Sequence, residues 1–197
     1  MKKLCSLVLV VILAISLVGC LSVEYKEYKI EIDKNGSGQG KIIWRNISSS
    51  TDSETEDGSA DFVELIEEYL EGNAIEDENP GFKKTKKKLF MENGQLCGQI
   101  EFEFDHYEDI GLYRHHDEGP YMFILGTIDE GFVESNGEYA GENFPLIFWD
   151  SGTKEFEFVT SINQASTEES KLLIDHYKLW KETGKLPVLQ ESEPSGQ

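Results

Sequence analysis

Asn93-Gly94, set between a lysine-rich run and an acidic, alternating one, narrows most sharply what this chain can fold into. Both residues tolerate the positive φ of a two-residue hairpin turn, so the flanking runs are predicted to be antiparallel neighbours. A two-residue loop also sets the register. It places Lys84 opposite Glu103, Lys86 opposite Glu101 and Lys88 opposite Gln99 on one face. The other face then carries Thr85, Leu89 and Met91 against Phe102, Gly98 and Leu96, with Ile100 and Phe104 opposite the stems of Lys87 and Lys83. The run Lys83-Lys84-Thr85-Lys86-Lys87-Lys88 therefore reads as a solvated cross-strand charge ladder, the alternative being a membrane-docking or anion-binding patch.

A second hairpin precedes it. Tyr28, Ile30 and Ile32 alternate with charged residues up to an Asp33-Lys34-Asn35-Gly36-Ser37-Gly38 turn, and pairing of Ile32 with Ile42 and Ile30 with Trp44 is the expected register, which a shorter turn would slip. Ser48 to Gly58 holds no apolar residue and reads as a solvated loop. Phe62, Leu65, Ile66, Tyr69 and Leu70 then fall on one helical face, with Gly72 at the stop. Tyr121–Leu125, Phe132–Glu134, Leu146–Trp149 and Phe156–Val159 read as short strands. A last helix follows a capping-box pair, Ser166 and Glu169, and carries Leu172, Leu173, Tyr177 and Trp180 as its stripe before Gly184 and Pro187. The fold class implied is α+β: an antiparallel sheet of hairpins and short strands with about two helices on one face.

The N-terminus has a different character. Lys2 and Lys3, then an apolar stretch from Leu4 to Val18, follow the plan of an export signal, and the stretch is short of the roughly 20 residues a membrane span needs. Leu17-Val18-Gly19-Cys20 closes it and resembles the bacterial lipoprotein lipobox. That resemblance implies a diacylglyceryl group on the Cys20 sulfur and cleavage before it; an ordinary cleaved signal peptide or an uncleaved anchor are the alternatives. Leu21 stands where the family's inner-membrane retention signal has Asp, which implies the outer membrane if the host has one. The expected organisation is a signal peptide over 1–19, a lipidated N-terminus and short tether over 20–24, one domain over 25–189 and a frayed tail over 190–197. The order of lipobox, hairpin with an Asp/Gly/Ser turn, and helix over residues 17 to about 105 is similar to bacterial lipoproteins with an LppM-type domain, a similarity that carries over no binding residues.

Charge limits the partners. Loss of the signal takes Lys2 and Lys3 with it and moves the formal net charge from −20 to −22, a field that repels nucleic acid and anionic lipid. Cys97 is left as the one thiol outside the signal and lipobox and, lying in an apolar strand pattern, is expected to be buried. Three of the four histidines, His106, His115 and His116, lie near Asp117 in a carboxylate-rich segment, making these four residues the weak candidates for a metal site. A solvated polar loop is the favoured reading, since adjacent histidines diverge in a strand. Asp33 to Gly38 begins like a calcium loop, but Trp44 stands where the bidentate Glu belongs. His176 falls on the apolar side of its helix, suiting core-edge packing. No nucleophile elbow, phosphate loop or zincin helix is present, and no cofactor is implied. The function expected is a membrane-anchored envelope lipoprotein, a non-catalytic binding or structural module for an envelope protein or small-molecule ligand. The alternatives are an envelope hydrolase using a carboxylate pair and a divalent-cation module.

Overall fold

A computed structural model describes residues 21–49, 57–125, 128, 130–162 and 167–189. The signal segment, Cys20, most of the polar loop after Ser49, Ser166 and the tail 190–197 lie outside the described residues. Twelve strands and three helices are described in chain order. They are β1 (Leu21–Ser22), β2 (Tyr25–Ile32), β3 (Gly38–Arg45), β4 (Ser48–Ser49), α1 (Ser59–Glu64), α2 (Ala74–Glu78), β5 (Lys83–Glu92), β6 (Gln95–Phe104), β7 (Leu112–Arg114), β8 (Tyr121–Ile124), β9 (Gly131–Ser135), β10 (Glu138–Tyr139), β11 (Leu146–Trp149), β12 (Glu155–Ser161) and α3 (Thr167–Thr183). The chain is thus a mixed α+β one in which every described strand pairing is antiparallel.

A six-stranded sheet in the order β5-β6-β3-β2-β12-β9 is the base of the molecule. The Asn93-Gly94 hairpin forms as its turn dictates, with Lys86 opposite Glu101, Lys88 opposite Gln99, Leu89 opposite Gly98 and Met91 opposite Leu96. At the far end the expected register changes: Lys84 adopts φ 49 and bulges, so Lys83, not Lys84, opposes Glu103. The bulge turns Thr85 away from Phe102 to donate to Glu76 Oε1 at 2.6 Å, and the Phe102 ring stacks on Phe82 at 3.7 Å instead. Lys84 Nζ still reaches Glu103 Oε2 at 2.5 Å, and Lys83 pairs with Asp105.

The first hairpin departs from expectation in register but not in facing. Ile32 pairs with Gly38 and Ile30 with Gly40, which brings Tyr28 opposite Ile42 and Lys26 opposite Trp44. Asp33 N donates to Ser37 O at 2.7 Å and closes a turn of Asp33–Ser37. The slip is an even number of residues, so the same side chains face inward. In β3, a Cβ on Gly40 would lie within 2.9 Å of three Phe102 ring carbons, and one on Gly38 would strike Phe104 and the Glu31 carbonyl. Two glycines in β3 let two phenylalanines of β6 lie across the neighbouring strand.

Two separate roofs cover the inner face of this sheet. A second sheet, in the order β10-β11-β8-β7, packs over one end, where Phe104, Phe156 and Phe158 meet Leu112, Phe123, Ile147 and Trp149. Sequence patterning placed β8 and β11 of this sheet but not β7 or β10, nor their separation into a second sheet. Asn136, in the turn from β9 to β10, joins the two sheets: its Oδ1 accepts from Trp149 Nε1 at 2.6 Å and from Glu157 N at 2.9 Å. Helices cover the other end, where Phe62, Leu65 and Ile66 with Leu173 and Tyr177 enclose Leu96 and Ile47. Gly184 ends α3 in the left-handed region (φ 66), its N–H reaching Trp180 O at 2.8 Å. α1 continues as a π-helical stretch, Leu65–Leu70, whose widened turn is absent from a simple 3.6-residue reading.

Two further expectations are corrected. Ser48 and Ser49 are buried in β4, paired with Ser22 and Leu21, so the solvated loop does not begin at Ser48. Residues 21–24 consequently belong to the fold and not to a free tether; Glu24 N donates to Arg45 O at 3.0 Å.

Gly40→Ala should lose about 1–3 kcal/mol, the usual cost of overpacking, whereas Gly152→Ala, where an added Cβ meets nothing within 4 Å, should be close to neutral. Urea denaturation of the two variants beside the wild type checks this.

Candidate functional site

The two roofs do not meet. Between them the inner sheet face is left as the floor of a cavity of about 720 Å³, within the roughly 300–1,000 Å³ range of small-molecule sites. Ile42, Trp44, Gly98 and Phe102 form its floor, Leu65, Tyr69, Leu70 and Ile75 its helical wall, and Ile110, Phe123, Ile124 and Ile128 the wall on the side of the second sheet. The π-helical turn supplies three residues of the helical wall. Gly98 deepens the floor, because a Cβ there would already stand 3.2 Å from Ile47 Cδ1.

Two hydrogen-bonded polar clusters border this largely apolar space. At the first, Glu130 is buried and accepts from three donors: Lys26 Nζ at 2.6 Å, the Tyr28 hydroxyl at 3.0 Å and the Thr160 hydroxyl. Lys26 and Tyr28 are alternate inward residues of β2, and Thr160 lies beside them on β12, opposite Lys26. The strand period of two thus brings three donors to one carboxylate. Burial, then the charge of Glu130 and the hydrogen bond to it, push the Tyr28 hydroxyl far above the ordinary tyrosine range. The Tyr28 ring stacks on Phe158 at 4.3 Å, which holds the hydroxyl in place.

At the second point Lys87, on the inner face of β5, pairs with Glu76 of α2 at 3.0 Å and also donates to the Gly72 carbonyl. Burial opposes ionisation of Glu76, but hydrogen bonds from Thr85 and Lys87 outweigh it and hold the carboxyl below the ordinary glutamate range. One lysine of the basic run therefore turns inward as a strut between sheet and helix, while its neighbours stay on the outer face.

The residues singled out from sequence lie elsewhere. His106 precedes a 3-10 turn, Tyr107–Ile110, and its backbone N–H donates to Asp109 Oδ2 at 3.2 Å. His115 and His116 are exposed neighbours with ring centroids 5.7 Å apart, and the Asp117 carbonyl accepts from Arg114. Among the described residues no three His, Cys, Asp or Glu side chains are grouped so as to hold a metal ion. His176 packs its ring on Phe62 and its Nε2 lies 2.9 Å from Asp57 O. Cys97 is fully buried, its Sγ 3.9 Å from an Arg45 nitrogen whose guanidinium is clamped by Glu27. Cys20 lies outside the described residues.

Sequence reasoning missed the Glu130 cluster. Its members stand far apart in the chain, and only strand pairing between β2 and β12 unites them. The available signals were Lys26 and Thr160 at inward positions of otherwise apolar faces, where a charge or hydroxyl needs a buried partner.

No protein family, curated protein or solved structure compared with this chain matches it.

Glu130→Ala should cost about 1–3 kcal/mol for each buried donor left without an acceptor, and more in sum than Tyr28→Phe, as read from urea midpoints. Tyr28 also gives a pH signature. The folded state keeps a proton that the unfolded chain releases near pH 10, so its contribution is complete below that pH and declines as pH rises above it. The drop in stability from about pH 8 to about pH 11 should be smaller in Tyr28→Phe than in wild type.

Proposed function

We propose that this chain is an exported cell-envelope lipoprotein, anchored to a bacterial membrane through lipid on Cys20, whose domain is a non-catalytic binding module. Its ligand is a small apolar molecule held between the two roofs of the sheet. The observation that carries this reading is the cavity itself: a mostly apolar space of ligand size, floored by a rigid sheet and containing a few fixed polar groups.

The chemistry of the cluster supports binding over hydrolysis. Glu130 has its acceptor sites taken up by Lys26, Tyr28 and Thr160. Buried and engaged by three of the protein's own donors, this carboxylate is poorly placed to touch a substrate's leaving group, which an acid catalyst must do. The anchor reading rests on Leu17-Val18-Gly19-Cys20 and the basic, apolar stretch before it. Among the described residues no helix is long and apolar enough to cross a membrane. Two or more acyl chains would hold the domain firmly at a bilayer, where one chain would not.

The test has two arms. Cells given a labelled fatty acid should incorporate it into the wild-type protein and not into Cys20→Ser, and the mature wild type should lack residues 1–19. Unlabelled wild type overturns the anchor. A neutral apolar dye such as N-phenylnaphthylamine should brighten on binding the purified protein, and Ile75→Trp, which fills the helical wall, should weaken that binding severalfold. Equal binding by both proteins overturns the cavity as the site.

A further inference from the structure

We infer that the occupant of the cavity is an acyl chain of a lipid drawn from the membrane to which the protein is anchored. This deepens the preceding reading and rests on it, and three observations carry it.

The first is position. Leu21, Ser22 and Val23 are themselves part of the cavity wall. They are fixed there by the pairing of β1 with β4, Leu21 opposite Ser49 and Ser22 opposite Ser48. Cys20 is one peptide away from that wall, a Cα spacing of about 3.8 Å. A lipid anchor on Cys20 would therefore bring the bilayer surface to the rim of the cavity.

The second is charge. The cavity is lined by three lysines, Lys26, Lys87 and Lys88, and by three carboxylates, Glu78, Asp109 and Glu130. Lys26 is bound to Glu130, Lys87 to Glu76, and Lys88 carries its ammonium to the outer face, over the Phe90 ring at 5.3 Å. The walls carry no surplus cation for an anionic ligand, and a bare charge inside would meet the desolvation cost of an apolar space. The part of a ligand that enters is uncharged, and its polar head remains at the mouth.

The third is shape. The apolar lining runs from Leu21 and Val23 at the N-terminal end, across Trp44 and Phe102, to Ile110 and Phe123 beside the second sheet. An elongated, flexible hydrocarbon matches this path.

The test is photo-crosslinking of the mature lipidated protein in vesicles of phosphatidylethanolamine and phosphatidylglycerol. The vesicles are doped with a phosphatidylcholine bearing a diazirine at the end of one acyl chain. Peptide mapping should find adducts on Ile42, Trp44, Leu89 or Phe102, and both Val23→Trp and Ile75→Trp should lower their yield about fivefold or more. The two variants occupy different walls, and their thermal melts show whether either has lost the fold. Adducts confined to the outer sheet face or to residues before Val23 overturn the inference. So does a cavity that stays unlabelled in wild type and takes the probe only in Cys20→Ser, because the protein's own acyl chain then fills it. Flotation of the vesicles separates this question from anchoring. If the protein does not float yet is labelled in the cavity by the same probe in micelles, the acyl-chain assignment stands and the anchor falls; if it floats and the cavity is never labelled, the reverse holds.

Discussion

The inward face of β6 is the constraint on which the rest of the structure depends. Along one strand, Leu96 enters the core under the helices, Ile100, Phe102 and Phe104 enter the core under the second sheet, and Gly98 lies between them. Each fully buried residue of this row contributes about 1.5–3 kcal/mol from the water it leaves. β6 also has neighbours on both edges, β5 and β3, so it cannot shift without breaking two ladders at once. The glycines of β3 follow from the same row. Phe102 and Phe104 lean over Gly40 and Gly38, so the pairing of β3 with β6 leaves no room for a side chain at those two positions.

The cavity follows from having two roofs on one floor. A single helical layer, or a single opposing sheet, would have closed over the whole face. Here the helical roof is short, and the second sheet is built of strands of two to four residues. The gap is stabilised by struts at its margins: Lys87 with Glu76 ties β5 to α2, and Glu130 ties the segment before β9 to β2 and β12. Such pairs hold geometry better than they add net stability, since each ion gave up hydration to enter.

Local signals in the chain were read most securely where chemistry is short-range. Asn93-Gly94 placed its hairpin and most of that register, because the turn type leaves little choice. The strands at Tyr121, Phe132, Leu146 and Phe156 and the end of α3 at Gly184 were equally visible in alternation and capping. The register of the first hairpin was only half legible, because alternation is the same for every even slip and the length of the turn, here Asp33–Ser37, chooses between them. Division of the strands into two sheets was hidden for the same reason: alternation says that a face is buried, not against what. The candidate site was hidden most completely. Its walls come from elements spread along the chain from β1 to β8, and its polar cluster exists only after β2 and β12 have paired. The histidines that drew notice in the sequence are exposed on a loop, where abundance in the chain does not become convergence in space.

The smallest strand pair has a mechanical consequence. β1 and β4 form a ladder of only two residues on each side, and beyond it Glu24 is bound to Arg45 and Asn46 at the start of the main sheet. A pull on the N-terminal end is borne by that short ladder before it reaches the six-stranded sheet. When it peels, the three residues before Glu24 are released and the reach of the domain lengthens by at most about 10 Å, while the pairing of the six-stranded sheet is kept. The same peeling lifts Leu21, Ser22 and Val23 out of the cavity wall. The two-residue ladder is therefore what couples the N-terminal end of the fold to that wall.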